Sequence, residues 1–178
     1  SSAAVQALGG ALDLSWWRRP RETHGDAAVT IGSDGFVRAV AREASEQAYG
    51  TRSTFGHPSW AGAVAFTRSD GWRPNGEQER LVAAGRAEWS TLGGFTHGLS
   101  LYAVRADLRI PGPLTLAAAE SAPDTISAAA AVDLPRRTTD YARLVYRAAW
   151  KDEFEAALGV QTTDDDFRQL RANGIAVT

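Results

Sequence analysis

The clearest pattern in the chain is a strict alternation of apolar and polar positions between residues 99 and 134. Tyr102, Val104, Ala106, Leu108 and Ile110 alternate with Ala103, Arg105, Asp107 and Arg109. Period two puts each set on its own face of a strand, so this run predicts a half-buried strand. Pro111-Gly112-Pro113 then turns the chain. Leu114, Leu116 and Ala118 alternate next, and Ile126, Ala128, Ala130, Val132 and Leu134 form a third run. Three such runs joined by short turns predict an antiparallel meander. A helical reading of alanine-rich 116–131 competes, because Ala is the best helix former and fits either period.

Elsewhere the spacing is helical. Phe36, Val37, Val40, Ala41, Ala44 and Ala48 predict a helix over 34–49 that stops at Gly50. Its first part, Phe36 to Ala41, also fits the return strand of a hairpin across Asp34-Gly35. Glu77 to Leu92 predicts a second helix, with Asn75 as N-cap, Glu77 and Glu79 in its first turn, and Gly93-Gly94 at its end. Tyr141, Leu144, Val145, Ala148 and Ala149 predict the longest helix, Thr138 to Leu158. A short last helix is expected from Asp164 to Ala172, its first turn loaded with three aspartates. Ala27 to Ile31 and Ala61 to Thr67 read as strands, each followed by a Ser-Asp-Gly turn and an aromatic residue.

These elements predict one α+β domain over 27–178. Its centre is a single antiparallel sheet of about five strands built on the meander 99–134. Helices at 34–49, 76–92 and 138–158 pack on one face. An α/β arrangement is the alternative. Val5, Leu8, Leu12 and Trp16 predict an N-terminal helix or docking segment over 1–17, and polar 18–26, with Pro20 and Gly25, a linker.

Composition narrows the function classes. A chain of 178 residues can bury a sizeable core without disulfide or metal. It has no Cys, which excludes disulfides, Cys-zinc sites and a thiol nucleophile. A net charge of −2 and a pI of about 5.9 argue against general nucleic-acid binding. No apolar run approaches the ~20 residues of a membrane helix, so a soluble domain with no membrane span is expected. The basic residues are arginines apart from Lys151. Arg makes bidentate contacts with carboxylate and phosphate, but the skew also follows from high-GC bacterial codon usage. The arginines are spread over all predicted elements, which favours the codon explanation. The chain starts at Ser1-Ser2 without Met, consistent with a processed terminus, a domain boundary or a trimmed segment, and the compartment stays open.

Motif chemistry is sparse. There is no Gly-x-Ser-x-Gly, no Ser-x-x-Lys and no phosphate loop. His24, His57 and His97 sit in turn-like contexts without metal-ligand spacing, so no metal or cofactor is expected. His57 and His97 are the candidate acid/base residues. The segment 51–60 mixes Arg52, His57 and Trp60 with hydroxyl side chains, and Trp72-Arg73-Pro74 has the same character. Arg52, Trp60, Trp72 and Arg73 are therefore candidate substrate or partner contacts. The first functional reading is a non-catalytic binding or assembly domain. It presents this aromatic- and Arg-rich loop surface to a protein partner or to another copy of itself in a homo-oligomer. The alternative is an enzyme acting on a small acidic or phosphorylated ligand, with Arg52 or Arg73 as anion clamp and His57 or His97 as acid/base. A third is a membrane-tethered extracytoplasmic domain.

Overall fold

A computed structural model describes residues 24–45, 59–91, 93–151, 153–170 and 176–177. The described chain is dominated by strands: β1 (His24–Ile31), β2 (Val37–Ser45), β3 (Ser59–Ser69), β4 (Gln78–Ser90), β5 (Phe95–Arg109), β6 (Arg136–Trp150) and β7 (Phe154–Leu170). Each pairs antiparallel with the next in chain order, and β8 (Ala176–Val177) adds a two-residue pair at the end of β7. Between β5 and β6 lie two short helices, α1 (Leu116–Ser121) and α2 (Ala128–Asp133).

The expected α+β domain with helices packed on one face is thus corrected to a long antiparallel meander. The α/β alternative falls with it, since every pairing is antiparallel. The helices predicted over 34–49 and 76–92 fall on strands β2 and β4 where described, that over 138–158 is split between β6 and the start of β7, and Asp164 to Leu170 belongs to β7. The physical reason lies in what the two faces carry. In β6, Tyr146, Leu144 and Ala142 point to one side, while Tyr141, Val145 and Ala149 point to the other. Two interleaved sets of period two, both partly apolar, imitate a spacing of three and four. Pairing settles the conflict, because each of these strands makes a full ladder on both edges.

The tail of the expected meander is corrected in the opposite sense. Residues 116–121 and 128–133 are helical, as alanine's propensity alone demands. Thr115 and Ser127 cap them, their hydroxyls accepting from Ala118 N at 3.3 Å and Ala130 N at 3.2 Å. The β1 and β3 strand assignments hold, although β1 already begins at His24, inside the segment read as a linker. The predicted N-terminal helix 1–17 lies outside the described residues.

Two features of the turns are local consequences of sequence. Asp34 and Gly35 both take positive φ, 54° and 64°, as an Asp-Gly hairpin turn requires. The second Ser-Asp-Gly turn docks on the first, Asp70 N donating to Asp34 O at 2.8 Å. Gly93-Gly94, expected to stop a helix, instead reverses the chain between β4 and β5, with Gly94 at φ 79°.

Among the described residues no helix layer covers the sheet. Among the described residues Ala130, 3% exposed, is the one buried apolar side chain, and it sits in the α1–α2 connection.

Candidate functional site

The ladder registers sort every strand residue onto one of two faces, and the faces differ in chemistry. The first is apolar. On β5 it carries Phe95, His97, Leu99, Leu101 and Ala103 before Arg105. In the same rows β6 carries Trp150, Ala148, Tyr146, Leu144 and Ala142 before Asp140. The matching β7 residues are Phe154, Ala156, Leu158, Val160 and Thr162 before Asp164. Every strand residue among the exposed large hydrophobics belongs to this face, from Val29 and Ile31 through Trp60, Val64 and Leu81 to Leu158 and Val160.

The uncharged band is bounded at both ends. At one end it finishes in aromatic rings. Trp89 stacks on His97 at 5.4 Å between centroids, Phe95 lies 6.2 Å from His97, and Tyr146 lies 6.0 Å from it. His97 Nδ1 and the Tyr146 hydroxyl are 2.7 Å apart. Trp150 donates Nε1–H to Gly93 O at 3.0 Å and leans on Phe95. At the other end ion pairs follow at once: Arg105 with Asp140, and Arg136 with Asp107.

The band also climbs across the sheet. On β5 to β7 it stops at the row of Ala103, on β3 and β4 at Phe66 and Leu81 in the row of Arg105, and on β1 and β2 at Ile31 and Val37 in the row of Asp107. Its other end climbs further, from the row of Phe95 on β5 to β7 to about that of Ala103 on β1 and β2, where Ala27 and Ala41 are the last apolar residues before Glu43 in the row of Leu101. That is a rise of ~13–26 Å over ~29 Å of sheet width, a slope of roughly 25–40° to the strand perpendicular.

The second face is mixed: small and polar over most of its rows, with Val82, Tyr102, Val104, Leu108, Tyr141 and Phe167 on β4 to β7. It carries Arg38, Arg42, Arg80, Arg86, Arg143 and Arg147 among alanines, serines and threonines. Its acids are matched by arginines on the same face: Arg42 with Asp26 at 2.5 Å, Arg86 with Glu88, Arg147 with Glu155 at 2.9 Å, and Arg137 with Asp165 at 2.6 Å. Hydrogen bonds from Arg137 and then Thr139 hold the Asp165 carboxyl below the usual carboxylate range. On the other face Arg136 does the same to Asp107. A depressed folded pKa means that each pair contributes fully above the ordinary carboxylate value of ~4 and is lost as pH falls through the folded value. Carboxyl-carbon NMR titration of the folded protein should therefore find Asp165 and Asp107 ionised below pH 4, and Arg137→Gln should raise Asp165 toward the usual range, with the Thr139 hydrogen bond left in place. A midpoint near 4 for either group in the unsubstituted protein contradicts these pairings.

The sequence candidates are dispersed. Arg52 and His57 lie outside the described residues. Trp60 and His97 fall on the apolar face near its aromatic end. Trp72 and Arg73 lie in the β3–β4 turn at the opposite end, on the order of 35 Å of strand from His97. Arg73 is a clamp for backbone: Nε donates to Thr125 O at 2.7 Å and Nη2 to Gly112 O at 3.0 Å, fixing the connection that carries α1 and α2. The structure therefore does not bring His97 and Arg73 together as acid/base and anion clamp. Asp164, Asp165 and Asp166 alternate between faces rather than loading a helix start. No group of three or more metal-ligating side chains forms among the described residues. A shallow groove runs over Ala83, Ala103 and Ala142, between Leu81 and Asp140, and none of the sequence candidates lines it.

Sequence reasoning missed the sheet faces themselves. Their signal was present as alternation within Phe95–Ala103 and Ala142–Trp150, but the second of these was read as helix. No protein-family model matches the chain, and no curated protein matches it.

Proposed function

We propose that this chain is a non-catalytic assembly domain of a particular kind: a wall segment of a membrane β-barrel. One face meets lipid and the other lines an aqueous interior. The observation that carries the reading is the bounded apolar band. In a water-soluble sheet an apolar face is covered by helices or a second sheet, and here the described residues supply neither. A bilayer supplies that cover. A membrane-crossing strand needs roughly 9–11 residues, and Phe95–Ala103, Ala142–Trp150 and Phe154–Thr162 match it. Trp and Tyr at the edge of the band suit the headgroup level, where an amphipathic ring keeps its polar atom wet. Strands of a closed barrel tilt by ~35–45°, so a level bilayer must cut them in a slanted band, as the climbing edge does.

No helix among the described residues is long and apolar enough to cross a membrane, and the expectation of no membrane span reaches no further than helices. Strands cross differently, because their partners satisfy the backbone and only alternate side chains need be apolar. The expected partner- or self-association then takes the form of closure of the sheet edges by further strands, with the strand tryptophans Trp60, Trp89 and Trp150 as interfacial anchors.

The absence of Cys makes the test clean. Single-cysteine variants at 99 to 104 in membranes of cells producing the protein should react with a water-soluble maleimide at period two. Ser100→Cys, Tyr102→Cys and Val104→Cys should label, while Leu99→Cys and Leu101→Cys should be protected until detergent is added. Equal labelling at all positions overturns the bilayer reading. Protection of Leu99→Cys and Leu101→Cys in a protein that stays in the aqueous fraction also overturns it, and favours a protein partner on that face.

A further inference from the structure

We propose that the polar face selects for anions, small oxyanions such as carboxylates and phosphates included. The proposal rests on the barrel reading above and names what its interior admits. Each acid on this face already has an arginine partner, whereas Arg38, Arg80 and Arg143 have no acid partner among the described residues. All three are exposed. The imbalance is specific to this face. On the apolar face Arg105, Arg109, Arg136 and Arg168 are each in an ion pair at the charged end.

Placement makes the three arginines a surface rather than scattered charges. Arg38 and Arg80 share one row, with Thr67 between them, and so stand ~10 Å apart. Arg143 lies two strands on from Arg80 and four residues along, between Tyr102 and Gln161. Around them are hydroxyl, amide and small side chains, which leave room for a hydrated ion and add neutral donors. A guanidinium stays charged at any physiological pH and offers a planar fork that fits a carboxylate or phosphate with two parallel bonds. Fixed arginines on a pore wall raise the local concentration of anions and exclude cations, the arrangement by which anion pores discriminate.

The test is the reversal potential of the assembled pore, purified intact from membranes of cells producing the protein, in planar bilayers under a potassium chloride gradient, repeated with potassium phosphate. Chloride and phosphate should each permeate severalfold better than potassium. Replacing Arg38, Arg80 and Arg143 together by Glu should reverse the preference, and the milder triple change to Gln should bring it close to unity. The Gln variant keeps the test decisive if the Glu variant fails to insert. A cation-selective or non-selective wild-type pore, a preference unmoved by the Gln variant, or an absence of conductance each overturns the proposal. Failure of the barrel reading is seen separately, in the loss of alternating cysteine labelling or in its persistence in a protein that stays in the aqueous fraction.

Discussion

Leu101→Arg should destabilise the membrane-inserted protein by about 2–4 kcal/mol, whereas Ala84→Arg should cost within ~0.5 kcal/mol. The two sites are close neighbours on adjacent strands, and both have small or apolar neighbours. Leu101 pairs with Gly85 and Leu144 on the apolar face. Ala84 pairs with Ala63 and Tyr102 on the polar one. Leu101 is 46% exposed, so in water an arginine there would be an ordinary surface residue. Only a hydrocarbon environment makes the substitution costly, because the guanidinium must then be dehydrated or must distort the bilayer to reach water. The asymmetry between the two sites therefore measures the solvent on each face. Denaturant unfolding from lipid vesicles reads it, and 2–4 kcal/mol corresponds to a change of about 30- to 1,000-fold in the folding equilibrium. Equal small effects at both sites would mean that water bathes both faces.

This asymmetry also explains how much of the molecule was legible in the sequence. Strands β3 and β5 were readable because each alternates cleanly over part of its length. Tyr102 to Arg109 is the clearest case, and it lies largely beyond the apolar band, where one face is plainly polar. Inside the band the signal fades. In β4 the polar face holds Val82 and Ala84 while the apolar face holds Ala83, Gly85 and Ala87, so alanine erases the contrast. In β6 Leu144 and Val145 are adjacent, and a reader who expects one buried side joins them into a helical stripe. The sequence reading rests on one premise. For a water-soluble domain a large apolar set must face a core, and packing helices on the sheet provides one. Here the described residues form no such core, and the large apolar side chains of the sheet are exposed. Among the site candidates, Trp60 and His97 mark the aromatic end of the band, a role that depends on register and is invisible without it. Arg73 was found as a residue of interest, but its carbonyl partners come from residues 112 and 125, which no local pattern connects to it.

Asn75 offers the second large effect, about 2–4 kcal/mol for Asn75→Ala, and it separates two roles that the sequence merged. Read along the chain, Asn75 looks like an N-cap for a helix. In the fold it sits in the left-handed region at φ 57°, 8% exposed, in the turn between β3 and β4. Its Nδ2 donates to Ile110 O at 2.9 Å and to Pro135 O at 3.3 Å. Those carbonyls stand where the chain leaves β5 and where it enters β6, so one amide closes the neck of the α1–α2 connection. Alanine removes the donor from a partly buried acceptor, about 1–3 kcal/mol, and must also hold an unfavourable φ, about 1–2 kcal/mol. Asn75→Gly incurs only the first cost, since glycine adopts positive φ freely, and should be milder than Asn75→Ala by ~1 kcal/mol. Asn75→Asp tolerates the backbone conformation but places a carboxylate against two carbonyl oxygens, so it should be at least as damaging as Gly. Hydrogen exchange locates the effect. Amides of 110–135 should exchange faster in all three variants, while those of β2 and β3 keep their protection. If Asn75→Ala unfolds within ~0.5 kcal/mol of the unsubstituted protein, the neck is held by Arg73 and the Ile110–Pro135 backbone bond without it. The ranking of Gly against Ala then carries the argument: strain alone predicts that Gly is neutral, lost hydrogen bonding alone predicts that Gly equals Ala, and the geometry requires both terms.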